Sequence, residues 1–138
     1  MFVTCLYLVL EPGSGALWFA NAGHNLPLQL SANGPRELRA TGMPLGLMPA
    51  MNYEERHARL EPGDGLLLYS DGVTEAHDSR REMFGSQRLK DLANGHREPA
   101  SLIENLLQQL AGFTGPEWEQ EDDVTLVSIW RESGERIS

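Results

Sequence analysis

The first third of the chain consists of short apolar runs separated by turn residues, a pattern typical of β-structure. Phe2 to Leu10 is rich in β-branched, aromatic and leucine residues, and Pro12-Gly13-Ser14-Gly15 separates it from the apolar run Ala16 to Ala20. These runs predict a β-hairpin. Leu26 to Leu30 predicts a further short strand, and the glycine- and proline-containing segment Thr41 to Met51 predicts an irregular loop.

A second pair of runs lies in the middle of the chain. Tyr53 to Leu60 alternates imperfectly, Glu61-Pro62-Gly63-Asp64-Gly65 interrupts it, and Leu66 to Tyr69 follows as an apolar run. Two runs joined by turn residues predict a second β-hairpin.

After Ser86 the apolar positions change to a helical period. Ser86 is the expected N-cap of a first helix. Pro99 is expected to begin a second, amphipathic helix, and Gly112 to end it. Its apolar stripe comprises Leu102, Ile103, Leu106, Leu107 and Leu110. The run Val124 to Trp130 predicts a final strand. This order of strands, two helices and a strand favours an α+β fold with antiparallel sheet.

Acidic residues lie at the ends of two of these apolar runs. Asp71 follows Leu66 to Tyr69, and Asp122-Asp123 precedes Val124 to Trp130. Carboxylates at strand ends can converge in space, and hard divalent cations favour such oxygen ligands. The pattern suggests a metal-dependent hydrolase.

Each acidic motif also has an ordinary structural interpretation. Asp71-Gly72 between two β-like runs is a strong signal for a hairpin turn, since a type I′ turn needs positive φ at both central residues. Asp122-Asp123 is equally compatible with the solvated start of a strand. The motifs taken singly leave both interpretations open.

Composition limits the classes of partner. The chain has 138 residues, 41% hydrophobic, which suits one domain with a real core. Its formal net charge of −9 argues against binding to nucleic acids or to anionic membranes. Cys5 is the single cysteine, so no internal disulfide can form, and in an apolar strand it is expected to be buried. No signal peptide or membrane-spanning run is evident, which favours a cytoplasmic location.

Seven short segments form an ordered set that covers nearly the whole chain. The set comprises Phe2-Val3-Thr4, Phe19-Ala20-Asn21-Ala22-Gly23-His24-Asn25, Gly42-Met43-Pro44-Leu45-Gly46, Leu60-Glu61-Pro62-Gly63-Asp64, Tyr69-Ser70-Asp71-Gly72-Val73-Thr74-Glu75, Phe84-Gly85 and Asp122-Asp123-Val124-Thr125. In this order the segments resemble the SpoIIE/RsbU-type serine/threonine phosphatases of the protein phosphatase 2C (PPM) superfamily. The resemblance is to the C-terminal part of the catalytic domain.

The resemblance implies a fold and a site. The expected fold is a mainly antiparallel β-sandwich flanked by helices, with the metal site at one end. Asp71 and Asp122 are the implied ligands of Mn²⁺ or Mg²⁺, and no catalytic residue is expected beyond these ligands. Asp123 is expected to be solvated or to support them, because adjacent strand residues point to opposite faces. His24 is expected to have a structural hydrogen-bonding role.

The resemblance also implies an activity. The expected function is hydrolysis of phosphoserine or phosphothreonine in a phosphorylated protein, by metal-activated water, in bacterial signalling. The implied substrate resembles an anti-sigma-factor antagonist. The family's upstream motif of the type Gly-Gly-Asp-Phe-Tyr-Asp has no counterpart here. Residues 1–138 are therefore expected to be one phosphatase domain lacking its N-terminal part, inactive alone and prone to homo-oligomerise. The alternative is a non-catalytic, phosphatase-like protein-interaction module.

Overall fold

Two antiparallel sheets form the framework of the protein. The computed structural model describes residues 1–94, 98–116 and 123–132. The strands are β1 (Cys5–Leu10), β2 (Ala16–Ala22), β3 (Leu28–Ser31), β4 (Gly34–Glu37), β5 (Glu55–Arg59), β6 (Gly65–Tyr69) and β7 (Leu126–Trp130), and the helices are α1 (Asp71–Thr74), α2 (Gly85–Asn94) and α3 (Pro99–Thr114). One sheet has the strand order β1-β2-β5 and the other β4-β3-β6-β7.

The four-stranded sheet lies between the three-stranded sheet and the helices. Leu66 of β6 packs in a cluster with Leu17 and Phe19 of β2, between the two sheets. Leu67, its neighbour, packs in a second cluster with Leu89 of α2 and Leu102 of α3. Successive strand residues point to opposite faces, so β6 contributes to both cores and is apolar throughout.

The predicted α+β class and the antiparallel sandwich with helices are confirmed. β1 and β2 pair in the predicted first hairpin, with Leu10 opposite Leu17. The final strand is also present, although it begins at Leu126 instead of Val124. The segment from Thr41 to Met51 has no regular strand or helix, as its glycine and proline content predicts.

The predicted second hairpin is wrong. β5 pairs with β2, whereas β6 pairs with β3 and β7, so the two strands belong to different sheets. The turn between them is held by Asp64, whose carboxylate accepts hydrogen bonds from Glu61 N (3.0 Å) and from Gln29 Nε2 on β3 (3.2 Å). These bonds attach the turn to the four-stranded sheet, and the chain passes there from one sheet to the other.

The helices form where the apolar period predicts them, but two of their predicted ends are wrong. α2 begins at Gly85, so Ser86 lies inside the helix and is not its N-cap. α3 begins at Pro99 as predicted but continues past Gly112 to Thr114. Gly115, with φ of 83°, ends it by donating its N–H to Ala111 O. A glycine with positive φ is the usual residue at this position.

Candidate metal centre

Asp71 lies where β6 becomes α1. It follows Ser70 directly, is the first residue of α1, and its side chain is exposed. Because a helical turn and not a strand follows, the hairpin-turn interpretation of Asp71-Gly72 is wrong. The last residue of α1 is Thr74. The carboxylate is thus presented at the end of a buried strand, as the alternative interpretation requires.

Asn25 orients this carboxylate from the loop after β2. Its Nδ2 donates a hydrogen bond of 2.8 Å to Asp71 Oδ1. Hydrogen bonds to an ionised acceptor are among the stronger ones in proteins. Within the described residues Asp71 Oδ2 accepts no hydrogen bond, so one carboxylate oxygen remains available to a ligand.

The loop that carries Asn25 is itself fixed. Gly23 has φ of 73°, and a Cβ at this position would lie 2.6 Å from Pro44 Cγ, so only glycine fits against the 42–52 loop. His24 N donates a hydrogen bond of 2.7 Å to Oδ1 of the buried Asn21. His24 Nδ1 lies 3.0 Å from Asn25 O, which agrees with the structural role expected for this histidine.

Ser70 joins the strand end of Asp71 to the segment before β7. Its N–H donates to Thr125 O (3.0 Å), and its Oγ accepts from Thr125 N (2.9 Å) and donates to Asp123 O (2.9 Å). The backbone of Asp123 is therefore held beside the residue that precedes Asp71. The side chain of Asp123 is exposed, and Thr125 lies just before the strand rather than in it.

Asp122, the second predicted ligand, lies outside the described residues. Its convergence with Asp71 on one metal ion stays a prediction. The carbonyl of Asp123, its neighbour in sequence, accepts a hydrogen bond from the hydroxyl of Ser70, and this bond joins the segment before β7 to the residue that precedes Asp71.

Tyr69, two residues before Asp71, is buried and has a raised pKa. Burial raises the pKa of its phenol above the ordinary value, and the negative charge of Asp71 raises it further. The phenol therefore stays protonated at neutral pH and adds no charge near the carboxylate.

The donor set fits a hard cation but is incomplete in the described part of the chain. An exposed carboxylate with a free oxygen is the type of ligand that Mn²⁺ and Mg²⁺ prefer. Over residues 1–94, 98–116 and 123–132, no group of three or more His, Cys, Asp or Glu side chains is placed to hold a metal ion.

The sequence did not predict a role for two residues of the site. Asn25 is adjacent to His24 in a segment that resembles the family, and Ser70 is the hydroxyl residue immediately before Asp71. Each makes its contact with a residue more than forty positions away along the chain. Local sequence could point to them as polar neighbours but not reveal their partners.

In the part of the chain that the structure describes, no helix is both long enough and apolar enough to cross a bilayer.

Comparisons with known proteins agree with this geometry. The family model described as "Stage II sporulation protein E (SpoIIE)" matches residues 1–132. Protein IcfG of Synechocystis is 32% identical over an alignment of 133 residues, and the match covers 95% of this chain and 21% of that protein. Phosphoserine phosphatase RsbU of Bacillus subtilis is 27% identical over an alignment of 135 residues, and the match covers 95% of this chain and 39% of RsbU.

A solved structure shows the same fold. The phosphatase domain of SpoIIE from Bacillus subtilis, in manganese-presoaked form, superposes with a TM-score of 0.73 at 17% identity. The match covers 98% of this chain and 59% of that domain structure. The chain thus spans roughly a fifth to two fifths of the two sequence relatives, which it matches over 21% and 39% of their lengths. The chain belongs to the SpoIIE family, and its α+β sandwich is the protein phosphatase 2C-like fold.

Proposed function

We propose that this chain is part of a metal-dependent phosphoserine/phosphothreonine protein phosphatase acting in bacterial signalling. The observation that carries the proposal is the exposed Asp71 carboxylate, oriented by Asn25 through a 2.8 Å hydrogen bond at the end of a buried strand. Phosphoserine phosphatase RsbU is similar over 95% of the chain, which supports the same reaction class.

Asp71 and Asp122 would hold Mn²⁺ or Mg²⁺. When bound, the metal supplies an activated water and neutralises charge on the phosphoryl group. Asn25 keeps one oxygen of Asp71 engaged and thereby sets the direction of the other. The hydroxyl of Ser70 fixes the segment from Asp123 to Thr125 beside β6.

The substrate of this reaction would be a phosphorylated protein that resembles an anti-sigma-factor antagonist. The 138 residues alone would bind metal weakly and turn over little substrate, because the resemblance implies two ligand positions in them and a further acidic motif upstream. The cytoplasm is the compartment in which such a substrate would be met.

Replacing Asp71 by Asn tests the metal role. The amide keeps the size of the side chain but weakens its binding to a hard cation, so we expect phosphatase activity to fall more than about 100-fold with little change in stability. The measurement is phosphate release from a phosphoserine peptide with added Mn²⁺, using the full-length protein. Calorimetric titration of Mn²⁺ into the 138-residue chain gives a second readout.

Two further variants are compared with Asp71→Asn. Asn25→Ala removes the residue that orients Asp71, and the loss of such a supporting partner typically costs about 10- to 100-fold in metal affinity or activity. Asp91→Asn makes the same chemical change at an exposed position of α2 and should leave both unchanged. Undiminished activity of Asp71→Asn would contradict the metal role. Absence of phosphate release by the full-length wild-type protein would instead favour a non-catalytic interaction module.

A further inference from the structure

A short hairpin follows α1 directly and ends in two adjacent arginines. Phe84 N donates to Ala76 O (2.6 Å), and His77 and Met83 form an isolated antiparallel bridge. Ser79, Arg80 and Arg81 form the tip between these two chain segments. Both arginine side chains are exposed.

The tip is held in a defined conformation by Asp78. Its Oδ1 accepts hydrogen bonds from the backbone N–H groups of Arg80 and Glu82, each 2.9 Å long, and its carbonyl accepts from Arg81 N at 3.0 Å. The Asp78 carboxylate is therefore used by the turn itself. Because these hydrogen bonds fix the backbone of the tip, they also fix the Cα atoms from which the two arginine side chains extend.

Arg81 occupies a backbone position that normally belongs to glycine. Its φ is 64°, in the left-handed region, where a three-residue hairpin loop places its bulge residue. A side chain other than glycine, asparagine or aspartate is uncommon there and costs conformational energy. The cation at this position therefore has a backbone conformation that glycine would adopt more readily.

These two arginines also stand apart from the other described cations. In residues 1–94, 98–116 and 123–132, every other Arg and Lys side chain makes a hydrogen bond or an ion pair, and the contacts involve Arg36, Arg39, Arg56, Arg59, Arg88, Lys90 and Arg131. Within the same residues the guanidinium groups of Arg80 and Arg81 make no such contact. Two carboxylates flank these cations, but that of Asp78 is engaged by the turn and that of Glu82 is paired with Arg88 at 3.1 Å. The two guanidinium groups are therefore left to contact an anion outside the chain.

The tip follows Asp71 by nine residues along the chain, which limits the distance between Arg80 and a substrate bound at Asp71. Four residues of the connecting chain are helical and the rest can at most be extended, so the Cα atoms of Asp71 and Arg80 are within about 25 Å of each other. A protein partner of ordinary size covers about 800 Å² on each side, roughly 30 Å across. If the phosphoserine of such a partner lay at Asp71, the partner would be wide enough to place a second group at the two arginines.

We propose that Arg80 and Arg81 bind an acidic segment of the phosphoprotein substrate, beside its phosphorylated residue. This inference rests on the proposed function, which supplies the substrate. The guanidinium fork of arginine matches carboxylate oxygens in a bidentate arrangement that lysine cannot provide. The hairpin selects among phosphoproteins by the carboxylates that flank the phosphoserine, whereas Asp71 serves the reaction itself.

The test compares two peptides of twelve residues. Both contain one phosphoserine, and the residues four to eight positions away include three glutamates in one peptide and three glutamines in the other. Binding to the 138-residue chain is measured by fluorescence polarisation at low salt with Mn²⁺. We expect the glutamate peptide to bind about fivefold more tightly, and the preference to shrink as salt screens the exposed charges.

Substitutions at the tip should remove this preference. Arg80→Gln and Arg81→Gly, singly and together, are expected to bring the affinity ratio of the two peptides toward one. Arg81→Gly removes the cation while placing glycine at a left-handed φ, so its Tm should not fall. Arg39→Gln, which removes an exposed arginine paired with Glu37, should leave the ratio unchanged.

The outcomes separate this inference from the proposed function. Equal affinities of the wild-type chain for both peptides, or a preference that survives in the double variant, would overturn the role of the hairpin. The proposed function is judged separately by whether Asp71→Asn lowers phosphate release by the full-length protein. Arg80→Gln leaves the Asp78 hydrogen bonds to the backbone intact, so the test does not depend on one variant folding.

Discussion

β1 of the three-stranded sheet and β6 of the four-stranded sheet are similarly apolar, yet they differ in how much of each is covered. In β6 four of five residues are buried, whereas β1 alternates between exposed and half-buried positions. The four-stranded sheet has the other sheet on one face and the helices on the other. On the outer face of the three-stranded sheet, Tyr7 is 64% exposed and Val9 43% exposed. Apolar composition therefore predicts a strand but does not establish that both of its faces are buried.

Cys5 illustrates the same difference. Its position in an apolar strand predicts a buried side chain, and this prediction is wrong because Cys5 is exposed. It lies on the same face of β1 as Tyr7 and Val9, since residues two apart share a face of a strand. An exposed apolar face on an edge strand invites association, so self-association stays a prediction for this chain.

Truncating one apolar side chain in each sheet should give the largest difference. Leu67 is fully buried between β6 and the helices, so Leu67→Ala should cost about 3 kcal/mol in the free energy of unfolding. Val9→Ala should cost less than about 1 kcal/mol, because much of this side chain is already in contact with water. Urea denaturation followed by circular dichroism measures both. Similar losses for the two variants would mean that the outer face is covered in solution.

Adding a methyl group to a glycine in each region should give a smaller effect. A Cβ on Gly65 of β6 would lie 2.5 Å from a ring carbon of Trp130, so Gly65→Ala should cost about 2 kcal/mol through overpacking. A Cβ on Gly13, in the turn between β1 and β2, would meet no atom within 4 Å. Gly13→Ala should therefore change stability by less than about 0.5 kcal/mol. Thermal unfolding compares the stability of the two variants. A loss of stability in Gly13→Ala as large as that in Gly65→Ala would contradict this difference in packing.

The smallest effect concerns Tyr69 at high pH. Because its pKa is raised in the folded state, its contribution to stability is fully present below the unfolded value of about 10 and is lost as pH rises above it. Tyr69→Phe should therefore lose less stability than wild type between pH 9 and pH 11. Absorbance near 295 nm follows ionisation of the three tyrosines.

Asp71→Asn provides the control for this titration. Removing the negative charge should lower the pKa of Tyr69. If the phenol that ionises at the highest pH is unaffected by the substitution, then Asp71 does not act electrostatically on Tyr69. Burial alone would then account for the raised pKa.

The candidate site was only partly predictable from sequence. Asp71 could be chosen because an acidic residue after an apolar run recurs at metal sites, and its orienting partner Asn25 lies in a segment that resembles the same family. The hydrogen bond between them joins residues 46 positions apart, which no local pattern encodes. The same holds for Ser70 and Asp123, whose contact depends on the pairing of β6 with β7.

By itself the sequence determined the local elements: the first hairpin, the amphipathic helix beginning at Pro99, and an acidic residue at the end of β6. These follow from side-chain periodicity and from turn residues, which act over a few positions. Only the tertiary structure decided that β5 and β6 separate into different sheets. The Asp64 carboxylate accepts hydrogen bonds both from its own turn and from Gln29 of β3. In addition, β6 is buried on both faces, which places it between β3 and β7 in the four-stranded sheet. Long-range packing outweighs the local signal for a hairpin there, because a fully apolar strand is stabilised more by two covered faces than by its neighbour in sequence.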